Sequence, residues 1–180
     1  MTTSPTPHWP RGCVQVYTGD GKGKTTAALG LALRAAGAGL KVFIAQFAKG
    51  RHSSEHDALR RLDDLITLKQ FGSGRFIHGE PTDADVAAAA EGLRQAREAL
   101  TSGSYSVVIL DEANIATHFG LFSVEDLLGL IDAKPERVEL VITGRKADPR
   151  VIDRADLVTE MREVKHYSAN GVQARTGIEC

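Results

Sequence analysis

"TGDGKGKTT", Thr18 to Thr26, follows directly on the apolar run Cys13-Val14-Gln15-Val16-Tyr17. A strand entering a glycine-rich turn that ends in Gly-Lys-Thr has the layout of a phosphate-binding loop, G-x-x-x-x-G-K-[ST]. Counting back from Gly23-Lys24-Thr25 puts Thr18 where the first glycine belongs. Gly19, Gly21 and Gly23 then alternate with Asp20 and Lys22. Glycines let backbone N–H groups turn towards phosphate oxygens with no Cβ in the way. The helix expected from Lys24 would aim its positive end at the same anion. Lys24 adds a full charge, and the Thr25 hydroxyl is a ligand type suited to Mg²⁺. A plain glycine-rich strand–helix turn fits poorly with GKTT at the junction and with the small residues Ala27, Ala28 and Gly30 behind it.

Outward from this loop the chain alternates strand and helix. Strands are expected at Cys13–Thr18, Lys41–Phe47, Leu65–Phe71, Ser106–Leu110 and Val138–Thr143, with a weaker one at Leu157–Arg162. Helices are expected at Lys24–Ala38, Glu55–Asp63, Asp83–Leu100, Ser123–Ala133 and Pro149–Ala155. Thr82 stands three residues before Asp85, and Ser123 three before Asp126, both in capping-box spacing. "SVVILDE" and "RVELVITG" are nearly continuous apolar runs, as in strands covered on both faces of a parallel sheet. The expectation is a single α/β domain: a mostly parallel sheet, P-loop NTPase-like (RecA-like), with helices on both faces and right-handed crossovers. Ligands in such a fold gather at the carboxyl ends of the strands.

The chain has 180 residues, enough for one domain with a substantial core (residues 12–180), preceded by a tail at 1–11 rich in Pro, Ser and Thr. That tail is expected to be mobile unless Trp9 docks. Lys+Arg 22 against Asp+Glu 23 gives a net charge of -1. A grip on nucleic acid usually needs a basic excess, so nucleic acid is disfavoured as a partner. No apolar stretch is long enough to cross a membrane, and the N-terminus has no apolar core of a secretory signal. Two cysteines, Cys13 and Cys180, make no disulfide framework, which fits a reducing, cytoplasmic setting.

Asp111-Glu112 closes the run "SVVIL", where one carboxylate of an ATPase holds Mg²⁺ and its neighbour orients water. Acidic residues favoured by a helix dipole are the simpler alternative. His52 and His56 stand four apart, but no further ligand lies near, so a polar loop is expected there rather than a metal pair. "FGSGRFIHGE", Phe71–Glu80, is a glycine-rich loop with two aromatics past a strand end, suited to a flat apolar ligand. "AAAAEGLRQAREAL" has the pattern of an amphipathic structural helix.

The chain resembles the P-loop family of ATP:corrinoid adenosyltransferases, which act on cob(I)yrinic acid a,c-diamide or cob(I)alamin. The resemblance is carried by "TGDGKGKTTAALGLALRAAGAG", "KVFIAQFAKG", "VVILDEANIATHFGL", "VITGR" and "VKHYSANGVQARTGIEC". It implies transfer of the 5′-deoxyadenosyl group of ATP to the Co(I) centre of a reduced corrinoid, with release of tripolyphosphate, in adenosylcobalamin biosynthesis or salvage. It implies that Gly19, Asp20, Gly21, Lys22, Gly23, Lys24, Thr25 and Thr26 cradle the triphosphate. Thr25 and Glu112, or Asp111, would surround Mg²⁺ or Mn²⁺. Arg34 and Arg145 match family arginines near the nucleotide, and Phe76 would press on the lower corrin face. A homodimer and a flavin-dependent reductant protein are implied as partners. The family loop often reads G-F-x-W, whereas here it is Gly74-Arg75-Phe76-Ile77. The competing reading is a P-loop ATPase or small-molecule kinase releasing ADP; a non-enzymatic corrinoid or nucleotide carrier comes third.

Overall fold

A computed structural model describes residues 9–48, 52–72 and 79–179. Six strands form one all-parallel sheet in the order β3-β2-β4-β5-β1-β6. They are β1 (Val14–Thr18), β2 (Val42–Phe47), β3 (Ile66–Phe71), β4 (Val107–Asp111), β5 (Glu139–Thr143) and β6 (Leu157–Glu160). The helices are α1 (Lys24–Gly37), α2 (Ser54–Leu59), α3 (Asp83–Thr101), α4 (Ala113–His118), α5 (Val124–Ala133) and α6 (Pro149–Asp153). The single α/β domain expected from the alternation is therefore what the chain forms. α4 was not expected: six residues are too few for a helical period to stand out.

Successive strand residues feed opposite faces of the sheet, and two cores result. Phe43, Ala45, Phe47, Val108, Leu110, Leu140 and Ile142 pack under α3, α4, α5 and α6. Val42, Ile44, Val107, Ile109 and Val141 pack under α1 and α2. β2 and β4 are buried along their whole length, which explains their unbroken apolar runs. α1 meets the sheet through Ala28, Ala32, Ala35 and Ala36, side chains short enough to let the helix axis approach closely. Both predicted capping boxes form: Thr82 accepts from the Asp85 N–H and Ser123 from the Asp126 N–H.

Phe71 closes the strand expected at Leu65–Phe71 and is not part of the loop that follows it. It is the last residue of β3, 7% exposed, and packs beside Phe47 in the core. Trp9 donates its indole N–H to the Arg137 carbonyl at 3.2 Å and packs against the α1–α2 core. Residues 1–8 of the expected tail lie outside the described residues, as do Phe76 and the rest of 73–78. Among the described residues no helix is long and apolar enough to cross a membrane.

Candidate active site

The carboxyl ends of β1, β4, β5 and β6 open onto a cleft of about 790 Å³ whose floor is the Asp20–Thr26 loop. Glu112, Arg145, Glu55 and Glu179 stand on its walls. β1 and β4 are separated by β5. The loop and the acidic pair are thus about two strand spacings apart at their roots, ~10 Å, and α1 reaches across that gap.

Thr18 replaces the usual glycine without loss of geometry. It is the last residue of β1, and its hydroxyl accepts from the Ala147 N–H at 3.4 Å. The turn is made one residue later, by Gly19 at φ 92°. Gly23, the residue before α1, has φ 121°, a conformation that only glycine adopts without strain. α1 carries no side-chain N-cap, unlike α3 and α5, so its first N–H groups face the cleft unshielded by a capping side chain.

The three glycines do not all serve an anion. The Gly21 N–H donates to the Met161 carbonyl at 2.6 Å. A Cβ on Gly19 or Gly21 would lie 2.5 or 2.7 Å from that same oxygen. Their smallness admits the segment that follows β6, a packing demand that motif spacing does not disclose.

Lys24 is 6% exposed, and its ammonium donates to the carbonyls of Gly19 at 2.7 Å and Gly21 at 2.6 Å. Burial pushes its pKa below the ordinary lysine value; Glu112 opposes that shift and Arg145 adds to it. Glu112 and Arg145 are thus both electrostatic neighbours of Lys24.

Thr25 meets Asp111 rather than Glu112. Its hydroxyl donates to Asp111 Oδ1 at 2.9 Å, and the Thr143 hydroxyl donates to the same oxygen at 2.7 Å. Gln46 Nε2 donates to Asp111 Oδ2 at 3.0 Å. Asp111 is 1% exposed, and these three donors offset its desolvation. Glu112 sits at φ 60°, left-handed for a non-glycine residue, with its N–H donating to Thr143 Oγ1 at 3.0 Å. That turn carries the chain from β4 into α4 and leaves Glu112 on the cleft wall.

Arg34 lies away from this cleft, and Lys22, on its lining, is engaged by the C-terminal segment. Arg34 stands in the last turn of α1, exposed, and lines a separate cavity with Trp9, Gln15 and Glu139. At 1.5 Å per residue, ten residues of helix carry it ~15 Å from Lys24. Lys22 lines the cleft, yet its ammonium is held at 3.0 Å by each of Tyr167 Oη, the Ile178 carbonyl and Glu179 Oε1. Tyr167 and Arg175 also donate to Glu179. Arg175 first, then Tyr167, hold that carboxyl well below the usual range. The C-terminal segment is thereby clasped against the phosphate loop.

The rings of His52 and His56 stack with their centroids 5.3 Å apart. His56 is 7% exposed; its Nδ1 faces Ser53 and its Nε2 faces Gln46. His52 Nε2 pairs with Asp57 at 3.0 Å. The expected polar loop is half right: His52 is exposed, but His56 is built into the start of α2. Gln46, Thr143, Met161 and Glu179 were not singled out beforehand. Gln46 alone carried a signal, a polar residue inside the apolar run "VFIAQF".

The sequence profile of the family described as "ATP:corrinoid adenosyltransferase BtuR/CobO/CobP" matches residues 10–180. A corrinoid adenosyltransferase of Pseudomonas aeruginosa is 37% identical over 170 residues, 94% of this chain and 84% of that protein. Those of Escherichia coli K12 and Salmonella typhimurium, the latter named CobA, are each 34% identical over 94% of this chain and 86% of their own length.

Proposed function

Since the chain belongs to the ATP:corrinoid adenosyltransferase family, we propose how its cleft serves the transfer of a 5′-deoxyadenosyl group from ATP to a reduced corrinoid. The reaction is a displacement. The Co(I) of the substrate supplies an electron pair to the 5′ carbon of the ribose, forming a Co–C bond. The C–O bond breaks, and its pair leaves with tripolyphosphate. Negative charge grows on the bridging oxygen, so donors placed at the triphosphate act where the transition state needs them. No water is activated and no proton is abstracted.

The observation that carries this reading is the pairing of an α1 start without a side-chain cap with the buried Lys24, beside Thr25 and Asp111. Lys24 lies within reach of a phosphate after giving up its two loop carbonyls. Arg145, on the cleft lining, adds a second positive charge near Lys24. Mg²⁺ favours oxygen ligands and is commonly held by one or two protein groups plus substrate phosphates. The Thr25 hydroxyl and the Asp111 carboxylate are two such oxygens, 2.9 Å apart, on a polar floor. They fit Mg²⁺ or Mn²⁺, with Glu112 on the cleft side as an outer partner. Bound there, the cation would offset triphosphate charge.

The reading includes Phe76 against the corrin, a cytoplasmic location, a homodimer and a flavin-dependent reductant protein; family resemblance supports these. An anaerobic assay with ATP and cob(I)alamin tests the central claim. Loss of the Co(I) absorption band with one tripolyphosphate formed per turnover is expected. ADP formed without alkylated corrinoid would instead favour a kinase or ATPase.

A further inference from the structure

We propose that His56 is a positioning residue for the ATP site, setting through Gln46 the hydrogen bond that orients the Asp111 carboxylate. The inference rests on Asp111 as the metal-side carboxylate described above.

Gln46 is fully buried in β2, in a strand whose other residues are all apolar. A primary amide in such a place is tolerated only if its polar atoms are paired. Its Nε2 donates to Asp111 Oδ2 at 3.0 Å, and its Oε1 faces His56 Nε2 at 2.9 Å. Gln70 Nε2 also reaches Oε1, at 3.3 Å. An amide turned by 180° has nearly the same shape, but here it would set Oε1 against a carboxylate oxygen. The carboxylate on one side and the donors on the other, His56 at 2.9 Å and Gln70 at 3.3 Å, together hold the amide in this orientation.

His56 is fixed by the start of a helix. Ser53 and His56 form the capping box of α2, with histidine where an acidic residue commonly stands. The Ser53 N–H donates to His56 Nδ1 at 2.9 Å. Nδ1 also lies 3.0 Å from the Ser53 carbonyl, but a proton on Nδ1 would be turned against the Ser53 N–H; we therefore assign the ring proton to Nε2, aimed at Gln46 Oε1. The ring accordingly demands an acceptor from Gln46, and the amide NH₂ is left for Asp111. Thr25 and Thr143 hold the other carboxylate oxygen. Asp111 is thus pinned on both sides, and one pin is set by a residue that is not on the lining of the cleft. The same helix lines the cleft wall through Ser54, Glu55 and Ala58, so its seating and the aim of the carboxylate are tied.

The test compares H56Q, whose amide nitrogen replaces the Nε2 donor, with H56F, which keeps ring volume and donates nothing. D111N is the control for the underlying reading. Mg²⁺ dependence of ATP binding is measured by calorimetry, alongside transfer rate and thermal melts. H56F should need about 10–100-fold more Mg²⁺, the loss typical of groups that orient metal ligands, with metal-free ATP binding unchanged; H56Q should stay close to wild type. Equal impairment of both variants would reduce His56 to packing, and an unchanged Mg²⁺ requirement in H56F while D111N is impaired would also overturn the proposal. If D111N itself binds Mg–ATP normally, the Asp111 reading falls first, and the positioning role with it. Should H56F fail to fold, nitrogen NMR of the wild-type ring decides: an Nε2–H tautomer supports the proposal and an Nδ1–H tautomer overturns it.

Discussion

Lys24 is held by its own loop before it meets a phosphate, since its ammonium bonds to the Gly19 and Gly21 carbonyls. Replacing it with alanine should lower the transfer rate by ~10²–10³, as loss of a transition-state donor does. Rates with saturating cob(I)alamin check this, and a mutant retaining most of its rate would remove Lys24 from the triphosphate. Burial also predicts a pH effect. The folded pKa lies below the ordinary lysine value of 10.5, so on raising pH the folded protein loses this proton before the unfolded chain does. Stability from this group alone should then rise with pH between the depressed value and 10.5, because the unfolded state binds more protons there. Triphosphate affinity should move the opposite way, falling as the charge disappears. Calorimetric ATP titrations over the alkaline range would show a falling limb in wild type that K24A lacks. A limb shared by both proteins would assign it to another group.

The phosphate loop and the segment after β6 are one packed element. Gly21 both donates to Met161 and leaves no room for a Cβ against its carbonyl. G21A should therefore destabilise by ~1–3 kcal/mol, the range for overpacking at a closed contact. Gly30 offers the comparison: it lies inside α1, and a Cβ there meets nothing within 4 Å. G30A should stabilise by ~0.5–1 kcal/mol through helix propensity. Urea unfolding of the two variants separates the effects by sign. Destabilisation in both would mean that glycine is needed at Gly30 for a reason beyond the helix.

Across the whole molecule, the C-terminal segment closes the cleft at one side through Lys22, Tyr167, Arg175 and Glu179. Lys22 and Arg175 are exposed and Glu179 is part-buried, at 17%, and ion pairs so close to solvent add little to global stability. E179A should leave the thermal midpoint nearly unchanged, yet free residues 164–179 for proteolysis and weaken ATP binding. Limited digestion with and without ATP reads this directly. Cleavage at the wild-type rate would mean that contacts other than those of Glu179 hold the segment.

The order of strands and helices, the phosphate loop and the acidic pair were legible in the sequence because each rests on local rules. Period-two and near-continuous apolar runs mark covered strands, capping boxes mark helix starts, and Gly-Lys-Thr after a strand marks an anion site. The assignment of partners was not local. Whether Asp111 or Glu112 faces Thr25 depends on the left-handed turn at Glu112, which sends one carboxylate to the floor and the other to the wall. The same limit separates Arg34 from the cleft, hands Lys22 to the C-terminal segment, and brings Gln46 and His56 to Asp111. Those contacts join residues far apart in the chain or on different elements. Sequence spacing fixes which side chains exist; only the parallel sheet, by setting strand ends side by side, fixes which of them meet.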